Sequence, residues 1–291
     1  MLLLVPQGTI YSEEKIHLSK NDQNQDLVLV DHFVTCTMSC YTGLYTLFGV
    51  KPVTEFCIEY ELISEIEKDK SRKDIEVPSW KIHHKDSDYK PWETSRREQW
   101  EAFKKKIDTF SLKEHFFVEY CFNDKYQIYN ALLFVHEPSL IELLNHHYPL
   151  FEQRLGEKFD TIEKVQELKN GEFRFWDKIF KDKDHYLMGL LFGFGEENSK
   201  AFQLESEGDK EVAKRRRSHT PIAEARKSFE NTLNLQDLRI PSFVSYSKQG
   251  EDKIVESYYK KRKSIQQYLE GKNLTKETLH ILEFGHTAEI E

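Results

Sequence analysis

Phe116-Phe-Val-Glu-Tyr-Cys-Phe122, Asn123-Asp124 and Tyr126-Gln-Ile-Tyr-Asn-Ala-Leu-Leu-Phe-Val-His136 form the stretch that decides the fold. Two runs rich in aromatic and β-branched residues flank a turn-forming dipeptide, the pattern of a β-hairpin. The period then changes. Ser139 and Glu142 have the spacing of a capping box, which predicts a helix through Leu140, Leu143, Leu144 and Phe151. Pro149 is expected to bend or break that helix.

Working outward, helical spacing dominates the C-terminal side. Trp100, Phe103, Ile107 and Phe110 recur at three and four, one helical stripe. Asp160 with Glu163 opens a short helix through Ile162, Val165 and Leu168, which Asn170-Gly171 ends. Phe175, Trp176, Ile179 and Phe180 predict another. Asp184 caps a helix over 185–203 carrying Leu187, Leu190, Leu191, Phe194, Ala201 and Phe202, the most buried one expected. A charged helix over 210–233, broken near Pro221, an extended run over 238–246, and a closing amphipathic helix through Ile254, Tyr258, Ile265, Tyr268 and Leu269 complete this side.

The N-terminal side reads differently. Leu27-Val-Leu-Val30 is a compact apolar run, and residues 41–50 and 53–62 are rich in strand formers, with Gly49-Val-Lys-Pro52 as the turn between them. Residues 64–90 are charge-dense and read as an exposed loop or linker. The expectation is an α+β fold, predominantly helical. A strand-containing part spans 1–90, and a mainly helical domain with a hairpin near 116–136 spans 91–291.

Composition agrees. The 291 residues include 20 Phe, 14 Tyr and 4 Trp, too much aromatic surface to leave in water. Only 12 Gly and 8 Pro occur, where average usage would give roughly 35 together, and their scarcity favours helix over loops. Cys36, Cys40, Cys57 and Cys121 are too sparse for a disulfide framework and read as structural or free thiols. A net charge of -8 opposes gross nucleic-acid binding. No window approaches the roughly 18 apolar residues of a membrane span. Met1 to Val5 lacks the basic and apolar regions of a signal peptide, so a cytoplasmic protein is expected, with a removed leader left open.

Several motifs invite chemistry, and each has a plainer reading. Gly189, Gly193 and Gly195 sit in an apolar helix with no preceding strand and no Lys-Ser/Thr after them, so they are no phosphate loop. They read instead as close helix packing, or as a binding crease with His185, Glu197 and Asn198 as polar lining. His185 and Glu197 are 12 residues apart, about 18 Å along a straight helix, so one helix cannot unite them. Glu142, His146 and His147 are helix neighbours at i, i+4 and i+5 that supply two metal ligands on one turn with no third identifiable, and no metal or other cofactor is expected. Ser245-Tyr-Ser-Lys248 matches S-x-x-K without the partner motifs of that enzyme class. Lys214-Arg215-Arg216-Arg217 is the densest basic run; residues 209–231 hold seven Lys/Arg against four Asp/Glu, the mark of a solvated helix face or a patch for an anionic partner.

Three stretches together carry a resemblance. They are Thr46-Leu-Phe-Gly-Val-Lys-Pro52; Phe175-Trp-Asp-Lys-Ile-Phe180 with Asp184-His-Tyr-Leu-Met-Gly-Leu-Leu-Phe-Gly-Phe-Gly-Glu-Glu-Asn-Ser199; and Ile240-Pro-Ser-Phe243 with Tyr258-Tyr-Lys-Lys-Arg-Lys-Ser-Ile265. Their order resembles an uncharacterised protein family of intracellular bacteria of the chlamydia and legionella kind. The resemblance implies a bacterial, host-associated setting and carries no catalytic residue.

With no catalytic constellation visible, the expected function is a non-enzymatic binding or protein-interaction domain. It predicts a protein partner, no specific nucleic acid, and an exposed apolar patch or groove near the glycine helix. The alternatives are a hydrolase or transferase with a site assembled around His185, Glu197 and Asn198, and an anionic-surface binder acting through Arg215–Arg217.

Overall fold

A computed structural model describes residues 20–40, 42–62, 96–123, 127–214, 217–218, 238, 240–241, 244–246 and 252–285. The hairpin forms: β2 (His115–Asn123) and β3 (Gln127–His136) pair antiparallel, with Phe117 opposite Phe134 and Asn123 opposite Ile128. β1 (Val53–Leu62) pairs antiparallel with the free side of β3, so the order is β1-β3-β2. A register shift between Cys57 and Glu59 marks a bulge in β1.

β3 is the central strand, and Ala131 through Val135 are each 0% exposed. Ala-Leu-Leu-Phe-Val can be apolar throughout because helices cover both faces of the sheet. Each such buried Leu, Phe or Val side chain contributes about 1.5–3 kcal/mol relative to exposure.

The period of two sends alternate residues to two separate cores. Ala131, Leu133 and Val135 join Phe116, Val118, Tyr120 and Phe122 under one set of helices. These are α4 (Glu137–His146), α5 (Tyr148–Leu155), α6 (Thr161–Lys169), α7 (Arg174–Phe180) and α8 (His185–Leu191). Trp176 and Phe180 stack with centroids 6.4 Å apart, and the Tyr120 hydroxyl donates to Asp177 at 2.7 Å. Leu132 and Phe134 point the other way. They meet α1 (Lys20–Val34), α2 (Gly43–Leu47), α3 (Arg96–Ile107), α11 (Lys253–Leu269) and α12 (Leu274–Phe284). Aromatic rings run through this second core: Phe117 stacks on Phe134 at 4.5 Å, and Phe33 on Phe103 at 4.6 Å.

Beyond α8 come α9 (Glu196–Ser206), the short α10 (Lys210–Ala213), and two-residue strands β4 (Arg217–Ser218) and β5 (Val244–Ser245), paired antiparallel.

The mainly helical α+β class holds, and the hairpin and the Asp160 and Asp184 caps stand as expected; the Trp100, Phe103 and Ile107 stripe forms, but α3 ends at Ile107 and Phe110 lies past it. The chain also stops α4 at His146 and restarts with Pro149 in the first turn of α5.

Other expectations are corrected. Residues 43–47 form a helix, because burial of all five residues overrides their strand propensity. The Leu27–Val30 run is helical and divided between faces: Val30 is buried, while Leu27 and Val28 are more than half exposed. Ile162, placed on the apolar stripe of α6, is 61% exposed. Residues 185–203 are two helices, since Gly193 and Gly195 adopt φ of +77° and +78° and turn the chain between them. The charged helix from Lys210 ends at Ala213, and Arg217 lies in a strand. α11 does not close the fold; α12 follows it. The division near residue 90 falls between β1 and α3, which both feed one core. The charged stretch 64–90 and Met1 to Val5 lie outside the described residues.

Candidate functional site

β3 runs directly into α4, and this junction shapes a surface groove. His136 closes the strand, its amide donating to Pro52 O at 2.9 Å. Glu137 begins the helix with its amide on Glu114 O at 2.8 Å, and Pro138 follows where a missing N–H costs nothing. The N-cap is His136, not Ser139: the Ser139 amide donates to His136 Nδ1 at 3.3 Å. Ser139 stands three positions inside, so its pairing with Glu142 makes no capping box.

The groove holds about 860 Å³. α4 lines it through Pro138, Ile141, Glu142, Asn145 and His146. Lys113 and Glu114, before β2, and Lys169, at the end of α6, complete it with Glu137. Glu137 is held by two donors from α6, Lys169 Nζ at 2.8 Å and Gln166 Nε2 at 3.1 Å. Lys169 also sits 5.6 Å above the Phe116 ring. Glu114 Oε2 lies 3.8 Å from His136 Nε2. Burial pushes the His136 imidazole below its usual range, outweighing the opposite pull of Glu114.

The residues singled out around the glycines take other places. Gly189 packs α8 on α9: a Cβ there would stand 2.8 Å from Ser199 Cβ and 3.1 Å from its Cα. At Gly193, a Cβ would stand 2.9 Å from Lys51 Cβ, and the Tyr258 hydroxyl donates to Gly193 O at 2.9 Å. The turn folds α9 back along α8, so the Tyr186 amide reaches Gln203 Oε1 at 3.2 Å and the His185 ring meets Phe202 at 5.0 Å. Glu197 is exposed.

Asn198 is buried in a polar knot. Its amide group donates to Phe194 O at 3.1 Å and Asp252 Oδ2 at 3.0 Å, while its oxygen accepts from the Tyr246 amide at 3.0 Å. Asp252 also accepts from Ser245 Oγ and caps α11 through the amides of Ile254 at 2.9 Å and Val255 at 3.3 Å. Burial works to raise the Asp252 carboxyl, but the hydrogen bonds from Ser245, Asn198 and the two amides outweigh it and hold it below its ordinary range. Both amide protons of Asn198 are committed, and Ser245 of the S-x-x-K match is 1% exposed.

His185, Gly189, Gly193, Glu197 and Asn198 therefore line no part of the groove, whereas Glu142 and His146 do. In the basic run, Lys214 pairs with Glu211 at 2.6 Å, while Arg215 and Arg216 lie outside the described residues. Cys36 is buried, Cys57 half-buried, and Cys121 an exposed free thiol. Among the described residues, no three of His, Cys, Asp and Glu group closely enough to hold a metal ion, and no helix is long and apolar enough to cross a membrane.

Two residues escaped sequence reasoning. His136 carried no signal beyond preceding Glu-Pro, itself a helix-start pattern. Lys51 looked like a turn lysine, yet it is 5% exposed, and burial pushes its amine down to about 7, against the pull of Glu55. No family model matches the chain, and neither does any curated protein or solved structure.

Proposed function

We propose that the protein is a non-enzymatic binding protein that docks a basic peptide segment of a partner protein in the α4 groove. The observation that carries this reading is the groove's charge arrangement beside the apolar Pro138 and Ile141. Three carboxylates face two ammonium groups, and Lys169 is already tied to Glu137. Glu142 meets the cation, with Glu114, which also faces His136, adding negative charge beside it, while Ile141 and Pro138 offer apolar contact to its stem. The committed hydrogen bonds of Asn198, Ser245 and Asp252 support a scaffolding role for the region that would otherwise host catalysis. A host-associated bacterial setting, implied by the sequence resemblance, belongs to the same proposal.

The test is calorimetric titration with capped decapeptides of alternating Lys-Ala and of alternating Glu-Ala. The lysine peptide binds, the glutamate peptide does not, and Glu142→Lys weakens binding at least roughly fivefold. About 0.5 M salt weakens it further. Equal binding of both peptides, no binding of either, or indifference to Glu142→Lys overturns the reading.

A further inference from the structure

The first turn of α4 holds a chain of groups that shares one mobile proton position. Ser139 Oγ lies 2.7 Å from His136 Nδ1 and 2.8 Å from Gly49 O, and the Ser139 amide lies 3.3 Å from the same Nδ1. A hydroxyl has one proton to donate, so it serves Nδ1 or the carbonyl, not both. Gly49 is fixed in this arrangement: its φ is +66°, and a Cβ there would stand 2.8 Å from His136 Cε1.

We propose that this junction is a proton-operated switch of the α4 N-terminus. With Nδ1 bare, its one lone pair is shared by the amide and the hydroxyl of Ser139, and the helix is capped. With Nδ1 protonated, the ring donates to Ser139 Oγ, the hydroxyl proton turns to Gly49 O, and the Ser139 amide loses its acceptor. The proton comes from solvent and no bond to carbon changes. An imidazolium also opposes the positive end of the helix dipole.

The groups facing the ring set the direction. Glu114 stands 3.8 Å from Nε2 and favours the proton, the His115 ring lies 4.9 Å away, and the Gly49 turn presents its carbonyl. On α4 itself Glu137 is engaged by Lys169 and Gln166. Burial outweighs Glu114 and lowers the folded value, so the folded state binds the proton less readily than the unfolded chain. The capped form is complete above about pH 6.5, the unfolded value, and is lost as pH falls through the folded one. Glu114 both lines the groove and faces the ring, so the switch is read in the protein without peptide.

Burial also lowers His147 and His185, so global stability against pH does not isolate the switch. The test is local: nitrogen NMR of the His136 ring, together with amide-exchange protection at Ser139, from pH 8 to about pH 4.5. The ring and the amide titrate with one midpoint below 6.5, and Ser139 protection falls roughly fivefold, the worth of one cap. His136→Asn, a cap that does not titrate, leaves protection flat. A Ser139 amide blind to the ring's midpoint, or the same pH profile in His136→Asn, overturns the proposal. If that variant does not fold, the co-titration in the unaltered protein decides alone.

Discussion

On one face of the sheet, the strands are covered by α4 to α8, which follow the hairpin in unbroken order from Glu137 to Leu191. On the other, Phe33, Leu47, Phe103, Tyr258 and Ile281 converge from five separate segments spanning most of the chain. Both cores are rich in aromatic rings, yet they differ in how far the chain must travel to close them. Local contacts form at small loop-closure cost, whereas distant ones follow only after long loops have closed. The continuous face should therefore assemble first and serve as the surface on which the ends of the chain dock.

The strongest attempt to break this contrast truncates one large side chain on each face. Trp176→Ala and Phe103→Ala should each cost about 3–5 kcal/mol, measured by denaturant midpoint. Stopped-flow kinetics should separate them: Trp176→Ala mainly slows folding, and Phe103→Ala mainly speeds unfolding. Equal partitioning between the two rates would erase the difference in assembly order.

Asp252 sharpens the comparison, because it ties the late-docking α11 to α9 and β5. Asp252→Ala should cost about 2–4 kcal/mol, from the lost cap and the unpaired Asn198 and Ser245 groups. The cost should appear in the unfolding rate. A loss under about 0.5 kcal/mol, the range of ordinary surface changes, would remove the knot from the account.

The smallest effect is expected where α8 packs on α9. Gly189→Ala should destabilise by about 1–3 kcal/mol through overpacking against Ser199. Ser199→Gly in the same chain should return part of that loss, and a double-mutant cycle by thermal unfolding measures the coupling. Strict additivity would mean that the two positions do not meet.

The continuous face was largely legible because its signals are local. The hairpin, the Asp160 and Asp184 caps and the Phe175–Phe180 stripe each lie within one element, where period and capping chemistry act directly. The other face was less so. Residues 43–47 carry strand formers but fold as a helix inside a core supplied from elsewhere. α12 was overlooked although Leu274, Thr278, Ile281 and Leu282 recur at helical spacing after Asn273, a cap that accepts from the Lys276 amide at 2.9 Å. The groove was only half visible: Glu142 and His146 stood out on one helix, but Lys113, Glu114 and Lys169 belong to other segments.

Amino-acid pattern alone determined the class of fold, the hairpin, the helix starts at Asp160 and Asp184 and the close packing at Gly189, since each depends on dihedral preference, capping or period within a few residues. Tertiary structure alone decided that β3 is central, that Gly193 and Gly195 make a corner, that Asn198 belongs to a knot with Asp252, and that His136 rather than Ser139 caps α4. Those outcomes turn on which distant groups arrive to bury or hydrogen-bond a residue, and spacing along the chain does not encode arrival.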